Sequence, residues 1–376
     1  MATNNTAPAP VTRAAATEHL LYKTKPPGSL GALENWAEQL MVVQNTLRPK
    51  VDKARMLLFA ADNGLAAGAE VSQYPRAVTR EMLKNIASGG AAINCLCRAH
   101  GIELKVLDLG VDTDQQHQDV EHFRLLAHGS ANPLEAPAMD GVTFSYAQSL
   151  GRKAFQAARN DGVQVLGLGE LGIGNTAIAS TLLGAATRRP ATDVTGAGTG
   201  VTGPRYEAKC QAVTAVLAKW DTLIPTDSTA RAGWSDVLRT IGDLEIVAMA
   251  AVIHEAAVYG GIVVVIDGFI TMAALLYALL VWPDDVPAIV QVTLFSHLSA
   301  EAPAALMLET IVVAALERGA EKEVVAKWQE PIGRWGLRLG EGSGAALVIP
   351  LLRSAAAIAA DMATFQGAGV STEKTE

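Results

Sequence analysis

Cysteine is scarce in this sequence: Cys95, Cys97 and Cys210 are the whole complement. Their spacing builds neither a disulfide framework nor a zinc site, so a reducing, cytoplasmic setting is expected. Cys95 and Cys97 read as core positions on a helical apolar face. Charge is sparse too, at 18% of residues, and the net charge is −8 with no basic block. Nucleic acid is therefore not expected as the main partner. Met1 to Thr17 lacks the apolar stretch of a signal peptide and reads as a disordered tail. The run Gly260 to Trp282 is apolar, but Asp267 beside Gly268 interrupts it, which a membrane span rarely tolerates. Its β-branched start, Asp-Gly break and MAALLYALL end predict a buried strand, a turn and a helix. His297 has no second histidine at a ligand spacing, and no G-x-S-x-G elbow accompanies Ser296 or Ser299. It reads as a hydrogen-bonded structural histidine. Neither a metal nor a cofactor is expected.

Apolar residues are plentiful instead, at 50% of a 376-residue chain, enough for one large or two moderate domains. Strand-like runs occupy Met56–Ala61, Leu104–Gly110, Val163–Leu168, Ile262–Ile266 and Ala288–Leu294. Helical patterns fill Glu18–Asn45 (broken at Lys25–Gly31), Val78–His100 (interrupted at Ser88–Gly90), Thr143–Asn160, Asn175–Arg188, Pro204–Trp220 and Ala230–Tyr259 (weak at Gly242). The last third is helical apart from a turn at Glu341. Phe123–Ala138 shows no period. Such alternation predicts an α/β fold, a parallel sheet with helices on both faces. Ligands in such sheets bind beyond the carboxyl ends of the strands. Asp62, Glu170, Asp267 and Ser296 each follow a strand and are expected along that edge. No internal repeat is present.

Three glycine-rich stretches invite chemistry. Gly167-Leu-Gly169-Glu170-Leu-Gly172 spells G-x-G-x-x-G after a strand, with Asp193 about 20 residues on, as in a dinucleotide site. Its Glu170 would oppose a pyrophosphate, and the helix begins only at Asn175. Gly196-Ala-Gly198-Thr199-Gly200, followed by Gly203-Pro204, offers backbone N–H groups for an anion, with Lys209 one and a half turns along the helix. It lacks the G-K-[ST] ending of an NTPase loop; a solvated surface loop is the alternative. In Leu339-Gly340-Glu341-Gly342-Ser343-Gly344, a lone carboxylate sits between glycines before a small-residue helix. That helix start favours negative charge, and the alternative is an ordinary turn with a solvated Glu.

Taken together, KPPGSLGALE (Lys25–Glu34), FAADNGLAAGAEVSQYPRAVT (Phe59–Thr79), SGGAAIN (Ser88–Asn94), GLGELGIGNT (Gly167–Thr176), IDGFI (Ile266–Ile270), FSHLSAE (Phe295–Glu301) and LGEGSGAAL (Leu339–Leu347) resemble the nicotinate-nucleotide:dimethylbenzimidazole phosphoribosyltransferase family, in order, across residues 20 to 365. The resemblance implies transfer of phosphoribose from nicotinate mononucleotide to a benzimidazole, giving α-ribazole phosphate for the lower ligand of cobalamin. A phenolic or purine acceptor, or a catalytically silent partner subunit, are the alternatives. It implies a homodimer with a Rossmann-like domain (56–329) and a small helical domain from both chain ends (18–55 and 330–366), flanked by tails (1–17 and 367–376). Glu341 maps onto the family's general base. Glu170, Tyr74, Met82 and Leu339 map to the acceptor pocket. Gly174, Asn175, Gly198, Thr199, Gly200, Lys209 and Asp267 map to the donor and its phosphate. The chain departs from the family's common pattern at Asn63 (His), at Ala197 (Arg) and after Glu301, where Ala302-Pro303-Ala304 stands.

Overall fold

Unbroken apolar runs become the sheet. The computed structural model describes residues 10–371 except 125, 127, 228, 229 and 231. In it, β1 (Ala54–Ala61), β2 (Glu103–Gly110), β3 (Val120–His122), β4 (Val165–Leu171), β5 (Val263–Ile266) and β6 (Thr293–Phe295) pair in the order β3-β2-β1-β4-β5-β6, every pairing parallel. Every residue of β1, β4 and β5 is buried. Successive side chains point to opposite faces, so both faces are covered. The helices Leu244–Tyr259, Phe269–Val281 and Ser343–Asp361 all pack against the sheet. Strand order reverses between β1 and β4, the place where an open parallel sheet leaves a crevice beyond its carboxyl ends.

Most predicted elements lie where the pattern put them. One strand does not. Ala288–Leu294 is helical up to Val292 (helix Val286–Val292), and β6 is only Thr293–Phe295. Pro287 suits a first helical turn, and buried Val286, Ile289 and Val290 recur at i, i+3 and i+4. The edge strand β3 carries one buried residue, too little apolar pattern to be read. The long helix expected over Ala230–Tyr259 is two, Trp234–Ile241 and Leu244–Tyr259, because Asp243 caps the second through the Leu244 N–H at 2.7 Å. Part of Phe123–Ala138, and residues at the start of the Ala230 segment, lie outside the described residues.

The helix Arg13–Leu21 begins inside the segment read as a tail, capped by Thr12 and anchored by fully buried Ala16. At the other end the helix Phe365–Ala368 runs past Gly367. Cys95 is exposed while Cys97 is buried, since two residues turn a helix through more than half a circle. Among the described residues, Ser343–Asp361 alone is a single helix long and apolar enough to cross a membrane. Here it is a core helix, packed against Ala32–Val43 and Ala92–His100. Gly260–Trp282 forms the expected strand, turn and buried helix.

Candidate active site

The segments following β1, β4, β5 and β6, together with Gly336–Glu341, enclose a cavity of about 730 Å³. That is a size typical of small-molecule sites. Nine of the residues singled out from sequence line it: Glu341, Glu170, Tyr74, Met82, Leu339, Asn175, Gly198, Thr199 and Asp267. Gly174, Gly200 and Lys209 do not. Another cavity, of about 680 Å³, borders Arg80, Lys84, Asp112 and Arg124 on the other face of the helix Val78–Ala87. Its lining is charged and offers no flat apolar wall. Asp62 also stays outside the main cavity, paired with Arg76 at 3.1 Å and accepting the Asp112 N–H at 2.7 Å.

Glu341 has φ +60°, flanked by Gly340 at +83° and Gly342 at +77°. A non-glycine residue in the left-handed region costs about 1–2 kcal/mol, so the surrounding structure must hold it there. Its carboxylate is buried, and Oε2 has no hydrogen-bond partner. Burial raises its pKa above the usual carboxylate range. A desolvated carboxylate with a buried, unpartnered oxygen on a cavity wall is suited to accept a proton.

The G-x-G-x-x-G motif serves this turn and no pyrophosphate. A Cβ on Gly169 would lie 2.7 Å from the Glu341 carbonyl carbon, and one on Gly167 would lie 2.1 Å from Met56 Sδ. On Gly172 it would meet Ala61 O at 2.7 Å. The glycines let the Glu341 turn and a neighbouring strand lie directly on β4. Between them, the buried Glu170 carboxylate accepts from Asn175 Nδ2. Burial first, then the nearby Asp267 and Glu341 charges, push its pKa up to about 8. Glu170 thus carries a proton through most of the neutral range.

The helix behind Glu341 does not keep its N–H groups free for a ligand. Asp267 Oδ1 accepts from Gly344 N at 2.7 Å and from Ala345 N at 3.1 Å. Burial raises Asp267 to about 7. Likewise the Gly198 N–H is taken by Glu301 Oε1 at 2.7 Å, so the glycine loop is not an open anion nest. Lys209 is fully buried under that loop. Its Nζ donates to Thr176 Oγ1 at 3.0 Å and to Gly196 O at 2.9 Å, and burial lowers its pKa to about 8. Because Thr176 accepts from the ammonium, its own hydroxyl proton is available to the cavity that it lines. Gly174, at φ +100°, lets the helix Asn175–Thr187 start tight against Ala66.

The loop is fastened from outside as well. Thr199 Oγ1 accepts from Gln73 N at 2.9 Å and lies 3.0 Å from Ser72 Oγ, Gln73 Nε2 donates to Gly200 O at 2.8 Å, and Arg338 Nη1 donates to Gly198 O at 3.0 Å. His297 is buried, 2.9 Å from Ser296 Oγ, and also borders the cavity. Asn63 caps the short helix Gly64–Gly68 and donates to Asp243 Oδ2 at 2.6 Å; it lies outside the cavity lining.

A family model described as Phosphoribosyltransferase matches residues 6–370. The chain belongs to this phosphoribosyltransferase family. A nicotinate-nucleotide–dimethylbenzimidazole phosphoribosyltransferase of Pseudomonas aeruginosa (strain PAO1) is 38% identical over 363 residues, 96% of this chain and 95% of that protein. One from Ralstonia nicotianae is 37% identical over 353 residues, 93% of this chain and 91% of the relative. The crystal structure of the Thermus thermophilus protein with that name matches with a TM-score of 0.80 at 35% identity, over 96% of this chain and 98% of the other. The chain is thus a pentosyltransferase by family, and its α/β architecture is that of solved relatives.

Sequence reasoning set Ser299 aside and assigned no site role to Arg338, Thr176, Glu301 or the Phe269–Thr271 wall, all of which border the cavity. Arg338 carries the most consequence. It is the single Arg or Lys among the described lining residues, beside four carboxylates, Glu170, Asp267, Glu301 and Glu341. Its position three residues before Glu341 was the available signal. The loop's missing arginine at Ala197 was another.

Proposed function

We propose that the protein transfers phosphoribose from nicotinate mononucleotide to 5,6-dimethylbenzimidazole, giving nicotinate and α-ribazole 5′-phosphate for the nucleotide loop of cobalamin. The observation that carries this reading is the unpartnered Glu341 oxygen in a cavity walled by flat apolar groups. One benzimidazole nitrogen attacks C1′ as the C1′–N bond to nicotinate breaks, and the pyridinium nitrogen takes up the bonding pair. The acceptor's other ring nitrogen loses its proton to Glu341 Oε2. The leaving ring departs neutral at nitrogen, so it needs no acid. Incubating the pure protein with both substrates should release nicotinate and α-ribazole phosphate in equal amounts. Release of nicotinate without the benzimidazole, or no release at all, would sink the reading. Purine and phenolic bases in the same assay rank the alternative acceptors.

In this reading the donor's anionic groups meet Arg338 and the Thr176 hydroxyl, with Lys209 acting through Thr176 and the loop. Arg338→Ala should raise the donor KM about 10- to 100-fold, the equivalent of about 1.5–3 kcal/mol for a charge-assisted hydrogen bond. The acceptor KM should hold. An unmoved donor KM would place the anion elsewhere.

Tyr74, Met82 and Leu339 stand at the mouth, with Tyr74 and Leu339 exposed. They are assigned to the flat face of the acceptor, which an aromatic ring and a thioether suit. Tyr74→Ala should change the ranking of acceptor bases in competition assays more than it changes donor affinity. The opposite pattern would remove Tyr74 from the acceptor site.

The protein is further assigned to the cytoplasm and to a homodimer, with the chain ends as a small helical unit. An antiparallel bridge between Lys23 and Thr364 supports the last point. Exposed Val142 and Tyr146 on the helix Gly141–Asn160 supply apolar surface for a second copy. Sedimentation of the pure protein tests the dimer.

A further inference from the structure

Glu341 cannot hold its own backbone in place, and neither can the helix that follows it. Three consecutive left-handed residues lead into Ser343. The cap position is Gly342, which has no side chain to accept the first N–H groups. The missing acceptor comes from another strand. Asp267 follows β5 directly, and its Oδ1 takes the Gly344 and Ala345 N–H groups. The carboxylate is 3% exposed, so water does not compete for those bonds. Room for the contact is kept by Gly344, where a Cβ would lie 2.9 Å from Asp267 Oδ1 and 2.1 Å from His297 Nδ1. One strand over, Glu170 lies against the same turn, where a Cβ on Gly340 would run into its Oε1. Two neighbouring strand ends thus border the turn, and Asp267 is the one bonded to the helix start behind it.

We propose that Asp267 is a positioning residue, which fixes the Glu341 turn by capping the helix Ser343–Asp361 across the sheet edge, and that it does not bind the donor. The idea rests on the transfer reaction above. A helix start left without an acceptor attracts the nearest carboxylate. Here that is Glu341, two residues ahead of Ser343. Asp267 fills the cap and so leaves Glu341 Oε2 unspent for the acceptor proton. Without Asp267, Glu341 folds back onto the helix start and becomes its cap.

The test uses the full chain and both substrates. Asp267→Ala should lower kcat about 10²-fold, the effect of a misplaced catalytic group, while both KM values stay within about threefold. Asp267→Asn keeps Oδ1 as an acceptor and should restore kcat to within about tenfold of wild type, again with the donor KM unchanged. A donor-binding Asp267 gives the reverse, a donor KM raised in both variants with kcat retained. A normal kcat in Asp267→Ala also overturns the proposal. Should the Ala variant fail to fold, the Asn variant decides alone. A donor KM raised more than about tenfold overturns the cap, and an unchanged one with near-normal kcat bears it out. A wild-type protein that releases no nicotinate would instead remove the transfer reaction, so the two failures are told apart.

Discussion

Glu341→Gln is expected to lower kcat by about 10²–10⁴, or roughly 3–5 kcal/mol of barrier, with both substrates still binding. Gln keeps the shape and one acceptor oxygen but cannot take a proton. The backbone conformation at Glu341 should survive, because the bonds beside it run from the Gly344 and Ala345 N–H groups to Asp267 and not to its own side chain. Burial raises the Glu341 pKa. The base works ionised, so wild-type kcat falls as pH drops through that raised value, and the Gln variant should lack this acid limb. Glu170→Gln is the internal control. With a pKa near 8, Glu170 is largely protonated at neutral pH, and an amide resembles the form already present. A near-normal turnover in Glu341→Gln, or a deeper loss in Glu170→Gln, would transfer the role of base to Glu170.

Gly169→Ala should be almost as damaging, although it adds one methyl group to a residue with no side chain. That methyl would lie 2.7 Å from both the Glu341 carbonyl carbon and the Gly342 nitrogen. Backbone on both sides has nowhere to go, so the Glu341 turn must lift off β4. Overpacking of this kind costs about 1–3 kcal/mol of stability. A shift of about 1 Å in the base costs about 10² in rate. Gly167→Ala, two residues earlier on the same strand, meets the flexible end of Met56 and should keep much more activity. Comparing kcat and the denaturation midpoint of the two variants separates the effects. Equal kcat losses would show that Gly169 matters for the strand alone.

The fold was legible because buried parallel strands announce themselves as apolar runs, and because polar residues at their ends fall on one edge. Ala288–Leu294 misled because helix and buried strand share composition when the run is short. Only the spacing of Val286, Ile289 and Val290 separates them. The places of Glu341, Glu170 and Tyr74 on the cavity wall could be read from motif order. The tasks of Lys209 and Asp267 could not, since sequence gives no sign that Gly196 O, Thr176, Gly344 and Ala345 would use up their polar atoms. The literal dinucleotide motif was the clearest trap. Its glycines are explained by what rests on them, and that packing joins residues about 170 positions apart.

That distance along the chain has a consequence for how the protein is made. The six strands and the cavity walls that follow β1, β4, β5 and β6 lie between residues 54 and 301, and a ribosome finishes them before Glu341 leaves the exit tunnel. Until the helix Ser343–Asp361 docks, the glycine face of β4 is bare and Asp267 has no N–H groups to receive. A partly synthesised chain therefore has only part of the cavity wall, without Arg338, Leu339 or the Glu341 carboxylate that the proposed reaction uses. With Glu341 as the proposed base, transfer is expected to begin only once the last long helix closes over the sheet, so that the growing polypeptide stays inert until its fold is nearly whole.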